Sequence, residues 1–165
     1  MNHPNTQPRL NFIEQSPDLV KKLQDFGMAI ANSGHIEPRL GHLVDIRASQ
    51  MNGCAACLDM HVKKAKLDGE RELRLHHIAI WRESPLFTPK ERATLAWTEA
   101  LTRLAPTGVS DDLYAEARDQ FSEKELSALT FRVVGINAAN RINVAFRTPP
   151  GTHDKALGLD KAELA

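Results

Sequence analysis

Helix-start signals recur along this chain at intervals that leave no room for a sheet, and they constrain the fold more than any other feature. Ser16-Pro17-Asp18 offers a cap, a Pro at the first helical position and an acid near the positive dipole end. Leu19, Val20, Leu23 and Phe26 follow at helical spacing. Pro38 starts a second helix, with Leu40, Leu43, Val44, Ala48 and Met51 on one face and Gly53 as its stop. A third helix begins near Cys54 and ends around Gly69, and a fourth runs from Glu70 to about Glu83. Thr88-Pro89-Lys90-Glu91 is a capping box that opens a fifth, and Ser110-Asp111-Asp112 opens a sixth. Ser122-Glu123-Lys124-Glu125 is a second capping box, opening a long apolar helix through about Phe146. No stretch alternates with period two, and no Asn-Gly or Asp-Gly turn joins β-rich runs. The expected fold is all-α, with about seven helices joined by short loops.

At 165 residues the chain fits one domain. A domain of that size buries about 70% of its unfolded surface and needs neither a disulfide nor a metal to fold. Its two cysteines are therefore available for chemistry. Twenty-one basic residues balance twenty-one acidic ones, which argues against nucleic acid or an anionic membrane as the main partner. The segment Met1 to Asn11 is polar and lacks the apolar run of a secretory signal, and no segment approaches the roughly 20 apolar residues of a membrane span. A cytoplasmic protein is expected, and in a reducing compartment a close Cys pair reads as catalytic or metal-binding.

Cys54 and Cys57 form a C-x-x-C motif at the start of the third helix, and His61 follows Cys57 by four residues, so all three share one face. Cys54 sits where free backbone N–H groups and the helix dipole favour an anion, a position that lowers a thiol pKa. The i,i+4 spacing brings the His61 imidazole to Cys57 as its base, whereas Cys54 lies about 10.5 Å of helix rise from His61. This asymmetry suggests that Cys57, deprotonated through His61, attacks a peroxide and that Cys54 resolves the sulfenic acid. The same pair suits a plain dithiol–disulfide reductase. Two further readings stay open. The cysteines are two buried structural residues, or they bind zinc with His61 and one of His42, His76 or His77, although no second Cys pair stands at zinc-finger spacing.

The stretch from Leu43 to Gly69, LVDIRASQMNGCAACLDMHVKKAKLDG, closely resembles the alkylhydroperoxidase D-like (AhpD-like) branch of the carboxymuconolactone decarboxylase-like family. The matching elements are Arg47-Ala48-Ser49-Gln50, Asn52-Gly53-Cys54, and Cys57 followed by Asp59-Met60-His61. Trp81-Arg82-Glu83-Ser84, Glu91-Arg92-Ala93, Thr102 and Asn137-Ala138-Ala139-Asn140-Arg141 follow in the family's order. The resemblance spans about residues 40 to 147, the core of a single AhpD-like domain over residues 1–165 with polar extensions at both ends.

The resemblance implies a cofactor-free peroxidase that takes a hydroperoxide substrate and draws electrons from a thiol or dithiol reductant protein. It also implies a homotrimer or homohexamer, an expectation that sedimentation as a monomer alone at micromolar concentration would overturn. The second Cys of the family motif, here Cys57, attacks the hydroperoxide; the first, Cys54, resolves it; and His61 belongs to a proton relay. The family relay also uses a Glu twelve residues before the first Cys, and this chain has His42 there. Either His42, which can exchange protons near neutral pH, stands in for that acid, with Asp45 one turn away spaced to orient it, or the relay is cut and the chain is a weak peroxidase or an enzyme for another substrate. Decarboxylase members of the superfamily are not defined by a C-x-x-C pair, so a non-redox decarboxylase-like enzyme is the alternative, beside a zinc-binding or redox-sensing protein.

Other polar and aromatic residues have plainer readings. Trp81 follows an apolar face and is expected to pack. Asn140 and Arg141 lie inside an apolar helix and need partners at neighbouring helix ends or a subunit contact. His76 and His77 point apart. Lys63, Lys64 and Lys66 read as a solvated face near a helix C-terminus, and Ser49 and Gln50 are spaced to hydrogen-bond near the cysteine turn.

Overall fold

The computed structural model describes residues 7–162, and every regular element among them is helical. The elements are α1 (Phe12–Gln15), α2 (Pro17–Asn32), α3 (Pro38–Asn52), α4 (Ala55–Leu67), α5 (Glu72–His77), α6 (Pro89–Thr102), α7 (Asp111–Gln120), α8 (Glu123–Phe146) and α9 (Asp154–Leu157). Two 3-10 turns, Ile78–Ile80 and Leu159–Lys161, complete them. The expected all-α class holds, but the count of about seven helices is corrected to nine among the described residues. All seven expected helices are present. The additions, α1 and α9, are four-residue turns, too short for an apolar period to register in the sequence. Neighbours hold them instead: Phe12 stacks on Phe146 at 5.8 Å, and Asp154 pairs with Lys63 on α4. Residues 1–6 of the polar N-terminal stretch and 163–165 at the other end lie outside the described residues.

The caps explain where the chain breaks. Pro17, Pro38 and Pro89 all occupy the first turn of a helix, although the Ser16 side chain makes no capping bond. Both capping boxes close: Thr88 with Glu91, and Ser122 with Glu125, each hydroxyl accepting from the third backbone N–H while the carboxylate accepts from the cap's own N–H.

Helix α3 lies at the centre, packed against α4, α6 and α8. It buries Leu40, Leu43, Val44, Ile46 and Ala48 against Leu95, Leu129, Val133 and Ile136, each large apolar side chain contributing roughly 1.5–3 kcal/mol. A helix surrounded in this way also buries its polar residues, here Asp45 and Ser49, which must find partners inside the protein. At its end Gly53 takes the left-handed conformation (φ 66°), which glycine adopts without the Cβ penalty. The Gly53 N–H then donates to the Gln50 carbonyl and the Cys54 N–H to that of Ser49. The chain reverses at this turn, and α4 packs back along α3. No helix among the described residues is long and apolar enough to cross a membrane.

Candidate active site

Cys54 is the N-cap of α4, and its sulfur accepts a hydrogen bond from the Cys57 N–H at 3.3 Å. The two sulfurs are joined as a disulfide, with the Cα atoms 5.3 Å apart. Both residues are only 2% exposed. The Gly53 turn and the N-terminal turn of α4 therefore hold the C-x-x-C motif in one compact loop, at the helix end where the dipole is positive.

His61 lies one turn beyond Cys57 on α4 and is buried. Its Nδ1 is 3.1 Å from Oδ2 of Asp45, an ion-pair distance, but out of line for a well-formed hydrogen bond. The other neighbour of Asp45 is Arg132 of α8. Its Nε donates to Oδ1 at 3.0 Å and its Nη2 donates to Oδ2, so both carboxylate oxygens are engaged. Burial pushes the Asp45 carboxyl upward, but His61 and the Arg132 guanidinium outweigh it and hold the group well below the usual carboxylate range. The same pairing raises the Arg132 pKa against the opposing effect of burial. Gly41, one turn before Asp45, gives this guanidinium its room, since a Cβ there would meet it at 3.3 Å.

His42 occupies a different place. Its Nε2 is 2.7 Å from Oδ2 of Asp68, at the C-terminal cap of α4, and its buried Nδ1 has no hydrogen-bond partner among the described residues. Asp45, spaced to orient His42, instead faces His61 and Arg132. Cys54, Cys57 and His61 thus lie on the first two turns of α4, while His42 engages that helix at its far end.

Behind the cysteine turn lies a buried polar network. Asn52, the last residue of α3, donates from Nδ2 to Oδ1 of both Asn137 and Asn140 at 2.9 Å. Asn140 Nδ2 donates to the Ser49 hydroxyl, which itself donates to the Asp45 carbonyl. Asn137 donates to the Thr102 hydroxyl, and Arg141 donates to the Asn137 carbonyl. Asn140 and Ser49 were legible as residues in need of partners. Asn52 and Asn137 entered only as matching elements of the resemblance, with no role assigned, and Arg132 was missed, although a lone Arg within the apolar run Leu129 to Ile136 is itself a signal that a buried acid faces it.

The remaining candidates have partners of their own. Trp81 is buried and donates from Nε1 to Glu99, which also binds Arg47 and Arg82. His77 Nδ1 pairs with the Ser84 hydroxyl, and Gln50 accepts from Arg47. The solvated reading of Lys63 is corrected: it is buried between Asp59 and Asp154, because the chain after α8 folds back onto α4. Gly151 N–H also donates to Asp59, and Leu159 is buried. Among the described residues no three His, Cys, Asp or Glu side chains are grouped to hold a metal ion.

A family model described as the carboxymuconolactone decarboxylase family matches residues 17–100. The chain belongs to this family. The matched segment runs from α2 into α6 and contains both cysteines, His42, Asp45 and His61. The uncharacterized protein YdfG of Bacillus subtilis (strain 168) is 34% identical over 137 residues, covering 83% of this chain and 92% of YdfG. A solved protein of unknown function from Agrobacterium tumefaciens, described as a candidate antioxidant defence protein AhpD, is 40% identical with a TM-score of 0.85. That comparison covers 88% of this chain and 99% of the other. These similarities put the chain in the AhpD-like branch of the carboxymuconolactone decarboxylase family. The debrominase Bmp8, solved with 2,3,4-tribromopyrrole, shares the fold at 20% identity and a TM-score of 0.76, over 92% of this chain and 80% of Bmp8.

Proposed function

We propose that this AhpD-like protein is a thiol-dependent hydroperoxide reductase in which Cys57 is the nucleophile, Cys54 the resolving thiol and His61 the base. The observation that carries this reading is the Cys54–Cys57 bond at the N-terminus of the helix whose next turn brings His61. Burial alone raises a thiol pKa, and the N-terminal turn of α4 and the imidazole one turn away both offset it.

In the reduced protein His61 takes the Cys57 proton. The thiolate attacks the peroxide, the O–O bond breaks, and Cys57 becomes a sulfenic acid as two electrons leave its sulfur. The departing alkoxide recovers the proton from His61 and leaves as an alcohol. The Cys54 thiol then attacks the sulfenic sulfur, water departs, and the disulfide forms. A partner dithiol reopens it by exchange and is itself oxidised to a disulfide, a step that suits the reducing cytoplasm. The N–H directed at the Cys54 sulfur stabilises Cys54 as the leaving thiolate in that exchange.

That same hydrogen bond favours a second reading, a dithiol–disulfide reductase that never meets peroxide. Family membership alone does not assign decarboxylation, because one fold serves many reactions. Leu19 and Met28 of α2 and Phe131 and Val134 of α8 are exposed, an apolar surface consistent with self-association.

The test is to trap the sulfenic acid with dimedone in the reduced Cys54→Ser variant after hydroperoxide treatment. An adduct on Cys57 is the expected result. No adduct there, with an adduct on Cys54 in Cys57→Ser, reverses the assignment.

A further inference from the structure

Two residues of α3 compete for the role of acid partner to His61, and they stand one turn apart. His42 is at the position where the resemblance looks for the relay acid, but its Nε2 is engaged by Asp68. Asp45 lies 3.1 Å from the His61 ring. We propose that Asp45, clamped by Arg132 across the gap left by Gly41, is the positioning residue for His61. The proposal draws on the peroxidase reading only in taking Cys57 as the group that His61 serves.

The geometry argues for a fixed charge rather than a proton carrier. Arg132 engages both oxygens of Asp45, which prevents the carboxylate from rotating and keeps it ionised throughout the neutral range. A carboxylate facing Nδ1 favours the proton on that nitrogen. Nε2 is then the acceptor for the Cys57 proton, as in any base oriented by a buried acid. When the thiol proton moves to His61, Asp45 stabilises the resulting imidazolium. The cluster of Asp45, Arg132, His61 and Cys57 carries no net charge before or after the transfer, which is what a buried site requires.

Among the described residues the other charges packed about α3 have partners other than Asp45 and His61: Arg103, at the end of α6, donates to the Met51 carbonyl and Arg141 of α8 to the Asn137 carbonyl. Glu99 of α6 binds Arg47 and Arg82, Arg39 of α3 binds Glu70, and His42 binds Asp68. The 3-10 turn of Ile78–Ile80 has no titratable side chain.

The experiment is the rate of Cys57 alkylation by iodoacetamide against pH, in reduced protein carrying Cys54→Ser. With Asp45→Asn added, the midpoint should move upward by about one pH unit or more, because the His61 imidazolium beside the thiolate loses its counter-charge and faces an unbalanced Arg132, and is therefore disfavoured. Asp45→Glu, which keeps the charge, should recover part of the shift. An unchanged midpoint in a folded Asp45→Asn, or a shift confined to His42→Gln, overturns the proposal. Should Asp45→Asn fail to fold, nitrogen NMR of His61 in the reduced natural sequence decides the matter. The neutral ring should carry its proton on Nδ1, and a proton on Nε2 overturns the proposal. Alkylation needs no peroxide, so failure of the peroxidase reading leaves both results interpretable.

Discussion

Asn140 has no exposed surface and lies in the last third of α8, where it donates to the Ser49 hydroxyl and accepts from Asn52. Removing it takes one hydrogen bond each from the buried Ser49 and the half-buried Asn52, and leaves a cavity beside the turn that carries Cys54. Asn140→Ala is expected to destabilise the protein by about 1–3 kcal/mol, read from urea unfolding. A change of only a few tenths of a kcal/mol would contradict this account of the network. The same residues show what single-residue reasoning reaches. Cys54, Cys57 and His61 were legible because their chemistry is distinctive and their geometry is local to one helix. His42 came from the resemblance, and the structure brings its ring to Asp68 instead of His61. The pairing of Asp45 with Arg132 was not legible, because its partners are 87 positions apart and only the packing of α8 on α3 brings them together.

At the scale of elements, α8 shows how far local signals extend. Its capping box has Glu125 accepting from the Ser122 N–H, and Lys90 reaching across from α6. The Ser122 backbone bond and then Lys90 hold the Glu125 carboxyl down at about 2, below its ordinary 4.5. Since the folded-state value is the lower one, the stabilisation is complete above the ordinary value and disappears as pH falls from about 4.5 toward about 2. Glu125→Gln should flatten the rise of stability with pH across that window, as followed by urea midpoints. Ser122→Ala should cost about 1 kcal/mol near neutral pH. An unaltered pH slope in Glu125→Gln would contradict the assignment. Caps of this kind were readable because both partners lie within four residues. The turns α1 and α9 were not, since Phe146 and Lys63 hold them from far along the chain. The fourth helix divides for a related reason: α5 gives way to a 3-10 turn at Ile78, whose buried side chain joins the core beside α3.

For the whole molecule, the decisive arrangement is a central helix that must satisfy its own buried polar groups. Helix α3 supplies Asp45 to α4, Ser49 and Asn52 to α8, and the turn on which the cysteines stand. The final segment, tied through Asp154 and Gly151 to Lys63 and Asp59, fastens the outer side of α4. The fold is thus organised around α3, the helix that leads into the cysteine turn and holds the helix bearing the Cys54–Cys57 pair. The most direct test is the free-thiol count of fully reduced natural protein and of Cys57→Ser after one equivalent of an organic hydroperoxide. The account predicts that both thiols of the natural protein disappear and that the single Cys54 thiol of the variant survives. Survival of both thiols in the natural protein, or equal loss of the Cys54 thiol in the variant, would contradict it.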